Sequence, residues 1–333
     1  MFHQHCYRSK FTVKAVLISP EKELILSDIP APEAQEGQII IDVRAAGVNR
    51  ADLLQVDGLY PSPPGWPDRP GLECAGTVYA APGSSRFRPG DRVCALLGGG
   101  GYAQQVAVPE ELVMPMPENT SFTEAAALPE VFATAMLNLV KIGDLQPGNT
   151  LFMQAGASGL GLAVIQLAKL LGARVVTTVS SEVKAQAARA AGADVIINRK
   201  TMNVPEELKK YPLDVAVDCA AGEILGECLE AMNRGGKWIV IATLGGTESK
   251  VSLRTFMAKH ISLIGSTLRS RSDQEKGEIL RLLEKKVWPE ISRGRVKPVI
   301  DRVFPVHEAG KAHKVLRDQN NAGKVILTFP LCP

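Results

Sequence analysis

The chain has 333 residues, enough to bury a large core and more in keeping with two domains than one. Its 38 Lys and Arg against 35 Asp and Glu leave a net charge of +3, with 45% apolar and 22% charged residues. That balance is ordinary for a globular protein and gives no electrostatic case for a nucleic-acid or membrane partner. No apolar run reaches the roughly 18–20 residues expected of a membrane span.

The chain begins with "MFHQHCYRSKFTVK", which is basic and free of acids but has no apolar stretch for secretion. It reads as an extension, with organelle targeting as the alternative. Six cysteines (Cys6, Cys74, Cys94, Cys219, Cys228, Cys332) are scattered without CxxC spacing. They make neither a disulfide framework nor a structural zinc site, which points to a reducing, cytoplasmic compartment. The first third reads as strands: "QIIIDVRAAG" from Gln38, "AGTVYAA" from Ala75, "DRVCALL" from Asp91 and "AQQVAVP" from Ala103. Pro- and Gly-rich turns such as "YPSPPGWPDRPG" separate them. This pattern predicts an antiparallel, barrel-like β domain over residues 1–131, with Gly98–Gly101 as a flexible hairpin.

From about Pro129 the pattern changes. "ATAMLNLVKIG" predicts a linking helix. Six continuous apolar runs then alternate with helices: "TLFMQ", "RVVTTVS", "DVIIN", "LDVAVDC", "KWIVIAT" and "ISLIGST". Continuous rather than alternating apolar character is expected of parallel strands buried on both faces. The intervening helices are "LAVIQLAKLLG", "EVKAQAARAAG" and "GEILGECLEAMNRG". The fold class is therefore α/β, with a six-stranded, parallel, doubly wound Rossmann domain over residues 132–272. Residues 273–333 hold one long helix, "SDQEKGEILRLLEKKVWPEIS", and two strand-like ends, "IDRVFPV" and "KVILTFP", that return to the β domain.

Between the first of these strands and its helix lies "AGASGLG", residues 155–161. Glycines at such a turn let backbone approach a pyrophosphate resting on the helix N-terminus. Gly156, Ser158, Gly159 and Leu160 are the candidate contacts, although the strict G-x-G-x-x-G form is broken at Ser158. An NAD site commonly carries an acid about 20 residues further on. Here the next strand ends in Thr178, Val179 and Ser180, and Glu182 comes late enough to lie on the following helix. Ser180, Lys184 and Arg199 offer a hydroxyl and cations for a 2′-phosphate, so the expected cofactor is NADPH. Solvated surface charges are the plainer reading of Lys184 and Arg199.

The stretches "GVNRADLLQVDGLYPSPPG", "LGGGGYAQQVAVPEELVMPMPE", "AGASGLG", "GSTLRSR" and "NNAGKVIL", in this order, resemble the zeta-crystallin-type NADPH:quinone oxidoreductases of the medium-chain dehydrogenase/reductase superfamily. The resemblance covers nearly the whole chain from Val13. It implies that the β region is a GroES-like catalytic domain and that the protein is a homodimer joined through its Rossmann sheets. "KWIVIATLGG" to "ISLIGST" would supply the edge strands. The implied reaction is reduction of a small-molecule quinone, by hydride or single-electron transfer. The residues matching Asn49 and Tyr60 would flank the nicotinamide. Thr134 at the start of the linking helix, Asn321 and Lys324 would make further cofactor contacts, with the backbone of Leu244 and Leu268 on the nicotinamide side.

Zinc alcohol dehydrogenases of the superfamily carry Cys and His where this chain has Asn49 and Leu72, neither of which suits zinc. Glu73 alone cannot make a site, Cys74 points away from it in an alternating strand, and His260, His307 and His313 lie far along the chain. No metal is expected, and quinones accept hydride without the Lewis acid that alcohols require. Plainer roles remain open for single residues: Asn49 as a turn cap, Tyr60 packed on prolines, Thr134 as an ordinary helix residue, Lys324 as a solvated charge. Two rival functions also stand. In an enoyl-thioester reductase, Tyr60 of "VDGLYPSPP" would be the proton donor. A non-catalytic NADPH-binding protein is the other.

Overall fold

The computed structural model describes residues 12–330, so the N-terminal extension, Cys6 and Cys332 lie outside the described residues. A hairpin of β1 (Thr12–Ile18) and β2 (Leu24–Pro30) opens the chain, a pair hidden in the sequence by its mixed, half-exposed faces. Next come β3 (Gln38–Val48), β4 (Glu73–Ala80), β5 (Arg92–Leu96), β6 (Gln105–Pro109) and β7 (Val113–Pro115). The nucleotide-type sheet follows, with β8 (Thr150–Met153), β9 (Arg174–Val179), β10 (Val195–Asn198), β11 (Leu213–Asp218), β12 (Met232–Val240) and β13 (Ser262–Gly265). These six are all parallel, in the order β10-β9-β8-β11-β12-β13. Leu151 and Phe152 of β8, Val175 and Val176 of β9, and Ala216 and Val217 of β11 are sealed from solvent, as a sheet covered on both faces requires.

The C-terminal strands β14 (Ile300–Pro305) and β15 (Lys324–Thr328) rejoin the first region in a seven-strand path β14-β15-β3-β4-β5-β7, with β6 on β3. β15 pairs antiparallel with β3, and only β14 and β15 run parallel to each other in this sheet. The chain thus leaves the β domain, builds the parallel sheet, and returns.

Several local expectations change. The linking helix begins at Pro129, with proline in the first turn, and runs to Met136 before a π-helical stretch over Leu137–Ile142, so Thr134 sits in its body and not at its start. Phe122–Ile142 is in fact long and apolar enough to cross a membrane, but it is mostly buried inside the protein. "GEILGECLEAMNRG" forms only the short helical turns Leu225–Cys228 and Leu229–Ala231, because β12 already starts at Met232 and runs through Gly235 and Gly236. The last long helix, Asp273–Lys286, opens on a Ser272–Glu275 capping box and breaks at Val287, ahead of Pro289 in the helix Trp288–Ser292. β13 is an edge strand, whereas β12 is internal. Gly98–Gly101 is not a flexible surface hairpin. All four are buried, and a Cβ would strike the Trp66 ring at Gly98, Pro67 O at Gly99 and Gly71 O at Gly101.

Candidate active site

The strand order reverses between β8 and β11, and in open α/β sheets ligands bind beyond the carboxyl ends of strands at such a point. The glycine-rich turn leaves β8 there. Ala155 has φ +59°, and its N–H donates to Thr178 Oγ1 at 3.0 Å, while Gly156 N–H donates to Thr178 O at 2.9 Å. A Cβ at Gly156 would overlap Thr177 Oγ1, and one at Gly161 would come within 2.5 Å of Ala155 O. Ser158 caps the helix Gly159–Leu170, its Oγ accepting from Gly161 N–H at 3.0 Å. The helix N-terminus therefore opens from a turn of small residues, Ala155 to Gly161, the kind of turn that fits a pyrophosphate.

The cations meet at the far side of β9. Lys184, on the helix Glu182–Ala190, donates from Nζ to Gln319 O at 2.7 Å, and Arg199 Nη2 lies 3.4 Å from Gln319 Oε1. Burial, then Arg199, then Lys200, lowers the Lys184 pKa. Two cations share one glutamine, with Lys200 and the carboxylate of Asp301 also acting on Lys184. Glu182 is tied instead to Arg189. Ser180 is half-buried just past β9.

On the β-domain side, Asn49, Glu73 and Lys324 form a buried polar cluster. Lys324 Nζ lies 2.5 Å from Glu73 Oε1 and donates to Asn49 Oδ1 at 2.7 Å and Val48 O at 3.1 Å. Asn49 Nδ2 donates to the same Glu73 oxygen at 2.9 Å, and Glu130 N–H to Glu73 Oε2 at 2.9 Å. An ammonium on one side and a carboxylate on the other fix which way the amide faces. Gly47 makes room, since a Cβ there would overlap the Glu73 carboxylate. Asn49 also begins the helix Arg50–Val56, its backbone N–H donating to Asp52 Oδ2 at 2.7 Å. Asp52 accepts from Gly71 N–H at 2.8 Å and from Tyr102 OH at 3.1 Å, and the Tyr102 hydroxyl meets His313 Nε2 at 3.2 Å. Burial pushes Asp52 up to about 6 and His313 down to about 3. The stem of Lys324 joins the β domain to the Rossmann helix: a Cβ at Gly159 would come within 2.6 Å of its Cδ. Gly323 N–H donates to Ala157 O at 3.0 Å, and Asn321 Nδ2 closes that strap onto Gly323 O at 2.8 Å.

Tyr60 is half-buried, with the Arg269 guanidinium 4.9 Å from its ring centroid. Burial and nearby Glu130 raise its phenol pKa, and Arg269 opposes them. Burial and Glu73 push the Glu130 carboxyl up to about 8, so it is neutral at pH 7.

The structure thus brings Asn49 and Lys324 together, sets Tyr60 on an arginine, and gathers Lys184 with Arg199. Leu244 is exposed and Leu268 buried, both on segments following the β12 and β13 carboxyl ends. Thr134 is half-buried, its carbonyl accepting from Asn138 Nδ2 at 2.7 Å. Sequence reasoning missed Arg269, Glu130, Gln319 and the Asp52–Tyr102–His313 network. Glu73 was noticed, but nothing in the spacing paired it with a lysine 251 residues away. Among the described residues, no three His, Cys, Asp or Glu side chains gather as a metal site.

Residues 35–118 match the family described as "Alcohol dehydrogenase GroES-like domain", and residues 159–285 match "Zinc-binding dehydrogenase". The chain is 31% identical to the quinone oxidoreductase of Mus musculus over 317 residues, covering 92% of this chain and 94% of that protein. The quinone oxidoreductase from Thermus thermophilus, whose structures include its complex with NADPH, superposes with a TM-score of 0.81 at 31% identity. That match covers 96% of this chain and 100% of the other. The CurK enoyl reductase superposes with a TM-score of 0.83 at 25% identity, over 96% of this chain and 99% of that one. Fold and site define a medium-chain dehydrogenase/reductase, a GroES-like domain joined to a Rossmann domain. Within that superfamily, the chain belongs to the quinone oxidoreductase family, the zeta-crystallin-like oxidoreductases.

Proposed function

We propose that this protein is an NADPH-dependent quinone oxidoreductase that works without zinc. One observation carries the reading. Where zinc dehydrogenases have metal ligands, this chain places Asn49 and buried Leu72, and it fills the neighbouring carboxylate, Glu73, with the Lys324 ammonium. A dication would have to displace that ammonium and would find one carboxylate and an amide in return, a poor donor set for zinc.

A reduced nicotinamide, when bound, supplies the hydride. The chain does the rest by binding and orienting. Gly156, Gly159 and Gly161 admit the pyrophosphate, and Ser158 and Leu160 lead the helix on which it rests. Lys184 and Arg199, with Ser180 beside them, take the 2′-phosphate in place of Gln319. Asn49 is held rigid by Lys324 and Glu73 at the nicotinamide wall. Thr134, Leu244, Leu268 and Asn321 complete the surroundings of the cofactor, and Lys324 contributes through Asn49. Tyr60 keeps its proton at neutral pH and can donate a hydrogen bond to the oxygen that gains charge as a quinone accepts hydride. Solvent then supplies the protons of the hydroquinone.

The same reading makes the protein a cytoplasmic homodimer, paired through the free edge of β13. Leu263 on that strand, with Leu253 and Met257 on the helix Leu253–Lys259, is exposed. A protonated Tyr60 also favours the second reading, in which it protonates the α-carbon of an enoyl thioester. Steady-state NADPH oxidation with 1,2-naphthoquinone and with crotonyl-CoA separates the two. Faster turnover of the quinone supports the proposal, and turnover of the enoyl thioester alone overturns it.

A further inference from the structure

We propose that Arg269 is a positioning residue for quinone reduction: reaching out of the Rossmann domain, it pins the Tyr60 loop and so sets the substrate wall of the crevice. This rests on the quinone reductase reading above.

Arg269 follows β13 in the segment Ser266–Ser270, yet its side chain ends among three separate pieces of the β domain. Nε and Nη2 donate to Gly98 O at 2.9 and 2.7 Å, and Nη1 donates to Tyr60 O at 3.0 Å. Nη2 also reaches Gln55 Oε1 at 2.9 Å and Ser62 Oγ at 3.1 Å. The same guanidinium lies over the Tyr60 ring. Arg269 is 6% exposed, so these bonds are made away from water.

Its acceptors are carbonyls, an amide and a hydroxyl. The carboxylates Asp52 and Asp68 act on it only through space. A buried cation without a paired carboxylate is expensive to hold, and the planar fork and the ring together offset that cost. Removing the guanidinium would leave the Gly98 and Tyr60 carbonyls without their donor. Apart from Arg269, the loop is tied to itself, to its glycine floor and to Gln55 of the helix Arg50–Val56, whose Nε2 also reaches Ser62 Oγ at 3.0 Å. Ser62 Oγ donates to Pro67 O at 2.8 Å, Gln55 Nε2 reaches Asp68 Oδ1 at 3.2 Å, and Trp66 and Pro67 lie flat on Gly98–Gly100. Small residues at Gly98 and Gly99 let that loop sit down and leave the Gly98 carbonyl free for the guanidinium. Tyr60 is therefore held, at its carbonyl and its ring, by a residue of the other domain, one step along the chain from Leu268.

A lysine keeps the charge but loses the fork and the stacking face. Arg269→Lys should lower kcat/KM for 1,2-naphthoquinone at least tenfold while shifting KM for NADPH less than threefold. In a Tyr60→Leu background the same change should cost less than twofold, because the ring it positions is gone. Hydrogen exchange read by mass spectrometry gives a measure independent of turnover. Arg269→Lys should speed exchange in residues 58–70 and 97–101 and leave β8 and β11 at wild-type rates. Equal losses in both Tyr60 backgrounds, or unchanged exchange in the loop, would overturn the positioning role. If the unaltered protein turns over no quinone, the functional reading fails, and loop exchange still judges the tether.

Discussion

Replacing Lys184 and Arg199 together with alanine should abolish most of the preference for NADPH over NADH. A charge-assisted hydrogen bond contributes about 1.5–3 kcal/mol, so two of them offer at least about 3 kcal/mol gross. The net is smaller here for two structural reasons. Lys184 and Arg199 already engage Gln319, whose oxygens a phosphate must displace, and Arg199 is exposed to solvent and salt. About 2–2.7 kcal/mol remains, or roughly 30- to 100-fold in kcat/KM. The assay is steady-state quinone reduction at fixed quinone with each nucleotide, for wild type and the double variant, at low and high salt. KM for NADPH should rise by that factor, NADH kinetics should stay within about twofold, and the wild-type preference should shrink as salt increases. An equal effect on both nucleotides would refute the reasoning and leave these residues as surface charges.

Other consequences of the site are open to simpler measurements. Tyr60→Phe should retain most quinone turnover, since ring and cation contact survive, whereas an obligatory proton donor would cost on the order of 10²–10⁴-fold. Lys324→Met strands the Glu73 carboxylate, which is fully buried, and should destabilise the fold by about 3–5 kcal/mol in urea unfolding; adding Glu73→Gln should restore much of it. Glu130 holds its proton up to about pH 8 in the fold but loses it near its ordinary value when unfolded. Stability should therefore fall as pH rises from about 4.5 to 8, and Glu130→Gln should flatten that slope and gain on the order of 1–2 kcal/mol at pH 8. His313, held neutral down to about pH 3, has the opposite sign. Its contribution is intact above about pH 6.5 and drains by up to about 1.4 kcal/mol per pH unit on acidification, a loss that His313→Leu should remove from the acid limb.

The architecture was legible because its signals are local. Continuous apolar runs mark β8–β13, and "IDRVFPV" and "KVILTFP" return to the first sheet. Failures came where tertiary contact decides. "AMNRG" carries helical neighbours but is drawn into β12 by the sheet, and four consecutive glycines suggest mobility until Trp66 and Pro67 lie on them. At the site, a residue can be nominated from sequence where its chemistry belongs to a motif, as with Gly156, Ser158 and Lys184. Arg269 and Glu130 carry no such spacing. A buried arginine between Leu268 and Ser270 looks like any surface charge until its acceptors at Gly98, Gln55 and Tyr60 are brought across from the other domain.

An ammonium and an amide, Lys324 and Asn49, stand beside Glu73 where zinc dehydrogenases hold a metal, and on the proposed reading quinone reduction requires no metal. That reading is tested most directly by measuring NADPH-dependent quinone turnover on protein dialysed against a strong chelator, with zinc content determined on the same sample. Zinc should be sub-stoichiometric, and turnover should be the same before and after chelation. Stoichiometric zinc, lost together with activity on chelation and restored with it on adding zinc back, would contradict that reading.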